Sequence, residues 1–363
     1  MRVLFDAYWW VDGPPSGRRV VRSLVSGWSE AFPRDDNLTI QAKHGDAARV
    51  RTDLASAGIR AEVIPASILA RNHALSVIFT RARKKDFDVF ISQNFGSLRG
   101  SAQNAVLVHD AIFLEHPEWF TRAERWYLSL IRPTLVRCDI VLATSESESR
   151  RLVRYWPKLT PKIRVVGLGV SQELIAAEPS RPEIARDWAR PYVLAVGRLN
   201  VRKNLERLIT AYAASEEVHR SHDLLIVGPA DGANRLRAHV PPGLERSILL
   251  TGAVADAELA WLYEHAALFA FPSLDEGFGL PMVEAYLAGV PIVASDTPIF
   301  REHGLASDYF DPTSTQDIAR SLKRGVEMPR RLEQVGVESA YDWTAVVRRI
   351  RANVPPEPGK AMA

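Results

Sequence analysis

Leu268-Phe-Ala-Phe271-Pro-Ser-Leu-Asp-Glu-Gly-Phe-Gly-Leu-Pro-Met-Val-Glu284-Ala-Tyr-Leu-Ala-Gly289-Val-Pro291-Ile-Val-Ala294 reads as strand, glycine-bearing loop, helix and strand in succession. The apolar runs at its two ends are continuous rather than alternating, the pattern of strands buried on both faces. Pro281 stands near the first helical position, where its missing N–H costs nothing. Gly289 and Pro291 end the helix. A strand–helix–strand unit of this kind predicts a parallel sheet.

The same rhythm extends both ways along the 363 residues. Arg2–Asp6 precedes an apolar-periodic stretch from Val20 to Trp28, and Asp88–Ser92, Ala105–Val108 and Ile140–Ala143 read as buried strands. Tyr192–Val196 and Asp223–Val227 repeat the pattern after a non-periodic stretch at 171–190 that contains Pro179 and Pro182. That break marks a linker, and the length exceeds what one core usually supports. The expectation is two doubly wound α/β domains, 1–171 and 172–341, facing each other with ligand in the cleft at the strands' C-terminal ends. A last helix at 342–354 is expected to pack back on the first domain, and the tail from Pro355 to be disordered.

Composition narrows the class. The apolar fraction of 47% and charged fraction of 25% are those of an ordinary globular protein. The single cysteine, Cys138, rules out an internal disulfide and fits a reducing, cytoplasmic setting. The opening Met1–Asp6 reads as a first strand rather than a signal peptide, and no apolar run is long enough to span a bilayer. Residues 1–175 carry 25 Lys/Arg against 18 Asp/Glu, whereas the remainder carries 21 against 25. The basic half is read first as a solubilising surface and second as an attractor for an anionic acceptor or the inner face of a membrane. The stretch Ser67–Lys85, with Arg71, Arg81, Arg83, Lys84 and Lys85, is expected to be a solvated helix face, with peripheral membrane contact as the second reading. No basic–aromatic module of a nucleic-acid binder is present in the sequence.

Chemistry concentrates in two places. Gly277 and Gly279 let backbone approach a ligand, and the helix opening at Leu280-Pro281 presents N–H groups that suit a diphosphate. Glu276 and Glu284 flank that anion site. As phosphate ligands they would repel it; as acceptors for sugar hydroxyls, one set on the donor hexose and one on the ribose, they make sense. The second place is Gly197-Arg198-Leu-Asn-Val-Arg202-Lys203-Asn204, a loop between strand and helix in which Asn204 is expected to be the helix N-cap. Arg198 and Lys203 can neutralise a diphosphate leaving group.

With these segments in order, the sequence resembles glycosyltransferase family 4 over nearly its whole length. Glu276 and Glu284 match the family's E-x7-E motif, and Gly197-Arg198 with Lys203-Asn204 its diphosphate clamp. Val108-His109-Asp110, His116–Phe120 and Thr144–Ser147 are similar to segments of its mannosyl- and rhamnosyltransferase-like branch. Tyr309–Pro312 and Asp342-Trp343 resemble features near the family's C-terminus. The resemblance implies a GT-B fold with an acceptor-side first domain and a nucleotide-sugar-binding second domain. It implies retaining transfer of a hexose to a hydroxyl of an oligosaccharide or lipid-linked glycan, without a metal or other cofactor. Mannose from GDP-mannose leads, with dTDP-rhamnose or a UDP-hexose as alternatives.

By the same resemblance, Arg198 and Lys203 stabilise the departing diphosphate with the N–H groups around Phe278, Gly279 and Leu280. Glu284 binds ribose, Glu276 binds the donor sugar rather than acting as nucleophile, and His109 stands near the acceptor. One departure is visible. Where the family carries a glycine-rich turn, this chain has Ser16-Gly17-Arg18-Arg19, so only the first glycine of that turn survives, and Gly17 joins the donor-site candidates. Val166-Gly167-Leu-Gly169 lacks the third glycine of a dinucleotide fingerprint, which weakens a nicotinamide-dependent oxidoreductase. Asp86-Phe-Asp88 precedes a strand, whereas a metal site is expected at a strand's end. A catalytically silent nucleotide-sugar-binding protein is the rival from another class, and the intact motif residues argue against it.

Overall fold

A computed structural model of the chain describes every residue except 69, 186–187, 189, 230–232, 332–337 and 355–363, so the tail expected to be disordered lies outside the described residues. The chain divides into two compact units: unit 1 comprises Met1–Ser171 with Ser339–Ala363, and unit 2 is Gln172–Glu338.

Unit 1 is built on β1 (Arg2–Ala7), β2 (Asn37–Ala42), β3 (Ala61–Pro65), β4 (Val89–Gln93), β5 (Gln103–Val108), β6 (Ile140–Ala143) and β7 (Ile163–Val165). They form one sheet in the order β3-β2-β1-β4-β5-β6-β7, every pairing parallel. The order reverses between β1 and β4, so the helices after these strands leave on opposite faces. Unit 2 repeats the plan with β8 (Tyr192–Val196), β9 (Asp223–Val227), β10 (Ile248–Gly252), β11 (Leu268–Phe271), β12 (Ile292–Ser295) and β13 (Asp308–Phe310). Their order is β10-β9-β8-β11-β12-β13, again all parallel, with the reversal between β8 and β11. The eight runs legible in the sequence are the strands, or parts of strands, around these reversals.

Both cores follow from helix faces closing on the sheets. In unit 1 the helix Pro15–Ala31 buries Val20, Val21, Leu24, Val25 and Trp28, an amphipathic stripe at helical spacing. Its outer side is covered by the last helix, Trp343–Asn353. Trp343 is fully buried against two glycines: a Cβ on Gly27 would lie 2.9 Å from the Trp343 Cβ, and one on Gly169 would lie 2.6 Å from its ring. Arg351 pairs with buried Asp36, which also accepts the Trp28 indole N–H, and the Arg349 Nε donates to the Val166 carbonyl at 2.7 Å. The Gly167/Gly169 segment thus serves packing.

Two expectations need correction. The basic stretch Ser67–Lys85 is not one helix: only His73–Ile78 is helical, and Arg81–Lys85 is irregular chain. Asn72 caps that short helix by accepting the Leu75 N–H, and Phe79 ends it, so the five cations have no common helical face. Asn204 precedes its helix in the left-handed region, with φ 55°, and makes no side-chain cap. Its amide nitrogen donates instead to the carbonyls of Pro272 and Pro312. The residue ties three segments together rather than capping one.

Candidate active site

In unit 2 the two chemistry-bearing loops leave neighbouring strands. β8 and β11 are paired parallel at Val193–Leu268 and Leu194–Phe269, so Gly197–Lys203 and Ser273–Gly279 both emerge at the sheet's reversal. In open α/β sheets that position holds ligands. Backbone and side chain lace the loops: the Leu274 N–H donates to the Arg202 carbonyl at 2.8 Å, and Asn204 reaches Pro272. Gly197 lets the Lys203 side chain lie close against the backbone, since a Cβ would stand 2.9 Å from the Lys203 Cε.

Lys203 and Glu276, 73 residues apart, form a buried ion pair, and the Lys203 ammonium also lies 5.0 Å from the Phe271 ring centroid. Arg202 approaches the other Glu276 oxygen at 3.3 Å. Burial pushes the Glu276 carboxyl up, but Arg202 and Lys203 more than reverse this and hold it below the ordinary carboxylate range. A carboxylate facing two cations leaves a formal surplus of one positive charge. Arg198 lies in the same loop but is exposed, so Arg202, not Arg198, joins Lys203 at the carboxylate. Its adjacency to Lys203 was the one sequence signal for that role.

The loop after Glu276 is held from below. Gly279 precedes the helix Leu280–Leu287 with φ 88°, and a Cβ there would sit 2.9 Å from the Phe300 ring, so both backbone and space demand glycine. His303 donates its Nε2–H to the Phe278 carbonyl at 2.6 Å and meets the Phe278 ring edge-on. Burial lowers the His303 pKa, favouring the neutral ring that makes this bond. Glu284, one turn into the helix and buried, accepts the Tyr263 hydroxyl at 2.8 Å. Gly277 and Phe278 are buried and Leu280 half-buried along this loop and first helical turn. The sequence does not mark His303 and Tyr263, because nothing in their local pattern distinguishes them from ordinary helix residues.

The remaining candidates, Gly17 and His109, belong to unit 1. Gly17 lies in the first turn of Pro15–Ala31, beneath the Trp9 indole, which a Cβ would meet at 2.6 Å. In this structure Gly17 is therefore a packing contact for Trp9. His109 directly follows β5. Its N–H donates to the Asn94 side chain at 2.9 Å, and its carbonyl accepts the Thr144 hydroxyl at 3.2 Å, which fixes the backbone. Its Nε2 donates to Gln93 Oε1 at 2.7 Å. Burial, opposed in part by Asp110, lowers its pKa to about 4, so the ring is neutral near pH 7.

Residues 190–327 match the family model described as Glycosyl transferases group 1. Unit 2 carries a glycosyl transferases group 1 domain. Among similar proteins, the serotype-specific mannosyltransferase WbdA of Escherichia coli is 29% identical over 201 residues, 52% of this chain and 25% of WbdA. The GDP-mannose:cellobiosyl-diphosphopolyprenol alpha-mannosyltransferase of Komagataeibacter xylinus is 32% identical over 167 residues, 42% of each chain. The match thus spans about a quarter of WbdA and under half of the second relative. Among solved structures, Anabaena Alr3699/HepE in complex with UDP and glucose superposes with a TM-score of 0.63 at 20% identity, covering 96% of this chain and 95% of that one. The two parallel-sheet units are those of the GT-B fold. Among the described residues, no helix is long and apolar enough to cross a membrane.

Proposed function

We propose that the protein is a retaining hexosyltransferase that moves mannose from GDP-mannose to a hydroxyl of an oligosaccharide or lipid-linked glycan. The observation that carries this reading is the Arg202–Glu276–Lys203 cluster at the β8/β11 reversal, beside the loop that opens Leu280–Leu287. Its cations suit a diphosphate, and its carboxylate accepts hydroxyls. A simple phosphate site would have no use for the carboxylate, because it repels the ligand. Support for mannose comes from the names of the WbdA and Komagataeibacter relatives.

In the proposed reaction the diphosphate lies against Lys203, Arg198 and the N–H groups around Phe278 and Gly279. Arg202 keeps Glu276 ionised when Lys203 turns to phosphate, and Glu276 orients the sugar's hydroxyls. Glu284, held by Tyr263, takes the ribose. The bond from the anomeric carbon to the phosphate oxygen breaks as the acceptor oxygen bonds to that carbon from the same face. The acceptor proton passes to the departing phosphate, so no protein nucleophile takes part. His109, neutral and fixed by Asn94 and Thr144, serves the acceptor side. The leaving group's charge is met by protein cations and not by a metal.

The test is a thermal-shift panel of GDP-mannose, dTDP-rhamnose and UDP-glucose, followed by chromatography of the released nucleotide. One donor at about 100 times its Kd raises stability by roughly 2.7 kcal/mol. A panel with no shift and no nucleoside diphosphate released sinks the reading. A shift with UDP-glucose alone keeps the enzyme class and removes mannose.

A further inference from the structure

Unit 1 carries a second polar group, at the C-terminal ends of β1, β4 and β5, most of which lies outside the motifs of the sequence. Asp6 and His73 are each 2% exposed, and the His73 Nε2 donates to Asp6 Oδ2 at 2.6 Å. In the neutral tautomer with its proton on Nε2, Nδ1 presents a lone pair, and among the described residues that atom has no hydrogen-bond partner. Gln93, also 2% exposed, uses Oε1 for His109, and its amide nitrogen likewise has no partner among the described residues. An unmade hydrogen bond at a buried group costs about 1–3 kcal/mol, and native folds keep few of them.

The two groups occupy one place. β1 pairs with β4 and β4 with β5, so Asp6, Gln93 and His109 stand at adjacent strand ends, where unit 1's sheet reverses its order. The partly exposed Trp9 indole joins them, with its centroid 4.0 Å from that of His73 and 6.0 Å from that of His109. A lone pair and an amide donor suit a ligand rich in hydroxyl groups, each of which can donate or accept. An anion would face the Asp6 carboxylate, which argues for a neutral ligand. The indole offers an apolar wall for the C–H face of a ring.

We propose that Asp6, His73 and Gln93, beside His109, form a site for a neutral sugar ring of the acceptor. His73 Nδ1 accepts from one hydroxyl, the Gln93 amide donates to another, and Asp6 holds the His73 tautomer. Trp9 covers His73, and its partly exposed indole turns away from that ring to become the wall of the site, while Trp10 stays anchored to Ala7, Asp53 and Arg22. The assignment rests on the glycosyltransferase reading and adds the groups that recognise the acceptor.

The experiment uses the full chain with the donor found in the panel and three probes: octyl α-mannoside, octyl β-glucoside and octyl β-galactoside. Gln93→Leu and His73→Gln are each expected to raise the KM for the accepted glycoside about tenfold with a smaller change in kcat. Their donor-induced thermal shift should persist, because the donor groups lie in unit 2. Unchanged KM in both variants overturns the proposal. So does loss of the donor shift together with the KM change, which marks a structural role. A wild type that hydrolyses donor but transfers to none of the probes overturns the sugar-ring assignment while leaving the enzyme class standing. A wild type that neither binds nor hydrolyses any nucleotide sugar fails the class itself, and the site with it.

Discussion

At the β8/β11 reversal in unit 2, two cations converge on one carboxylate and the backbone is pinned by Gly279, His303 and Asn204. At the β1/β4 reversal in unit 1 the side chains are imidazoles, an amide and an indole around a single buried carboxylate. The sheets are built alike, so the difference lies in what the loops bring to the same topological position. Charge held ready in a dry site suits a ligand whose charge grows during reaction. Neutral groups with unused donors and acceptors suit a ligand recognised by its hydroxyls.

The largest effect is expected at Lys203. Lys203→Ala leaves Glu276 buried with Arg202 as its remaining cation in the cluster, and removing one partner of a buried pair costs about 3–5 kcal/mol. Urea unfolding should show that loss, and the thermal shift with donor should vanish; retained donor affinity would move the phosphate site elsewhere. A smaller effect is expected at Gly279. Gly279→Ala forces a Cβ against Phe300 at φ 88°, with a cost of about 1–3 kcal/mol and a weaker donor response. Stability within error of wild type would mean that the loop is not pinned as described.

In unit 1 the titratable group to follow is His109. Its folded pKa of about 4 lies below its ordinary 6.5, so between these values the unfolded chain binds more protons than the folded one. The contribution is therefore present above about pH 6.5 and is lost as pH falls toward 4. Urea titrations of wild type and His109→Gln from pH 7 to 4.5 should converge at the acid end, and parallel curves would show that the ring titrates normally. The smallest effect belongs to Arg198, which is exposed. Arg198→Ala should leave stability within about 0.5 kcal/mol while raising the donor KM several-fold. A Tm loss comparable to that of Lys203→Ala would place Arg198 inside the buried network.

The central strands were legible because strands covered on both faces become unbroken apolar runs. β2 was missed because Thr39 and Gln41 interrupt it, although both are buried and Gln41 is bonded to Thr80. β3, β7, β10 and β13 do not show for a simpler reason: each is an edge strand, covered less fully than the strands inside the sheet, so it carries no unbroken buried run. Among site residues, Glu276, Glu284 and Lys203 carried a motif. The direct pairing of Lys203 with Glu276 did not show, because spacing says which loops are ligand-facing and not which side chains neutralise each other. His73 and Asp6 were invisible for the same reason, with 67 residues of chain between them.

The last helix has a consequence for how the molecule is made. Unit 1 is not finished when its first 171 residues leave the ribosome, because Trp343 and its helix cover the face of Pro15–Ala31 around Gly27. At about 5–20 residues per second, that face waits roughly ten seconds or more while unit 2 is synthesised. The nascent first unit is thus an open apolar surface during elongation, exposed to chaperones and to neighbouring nascent chains. Translation of the final helix closes it.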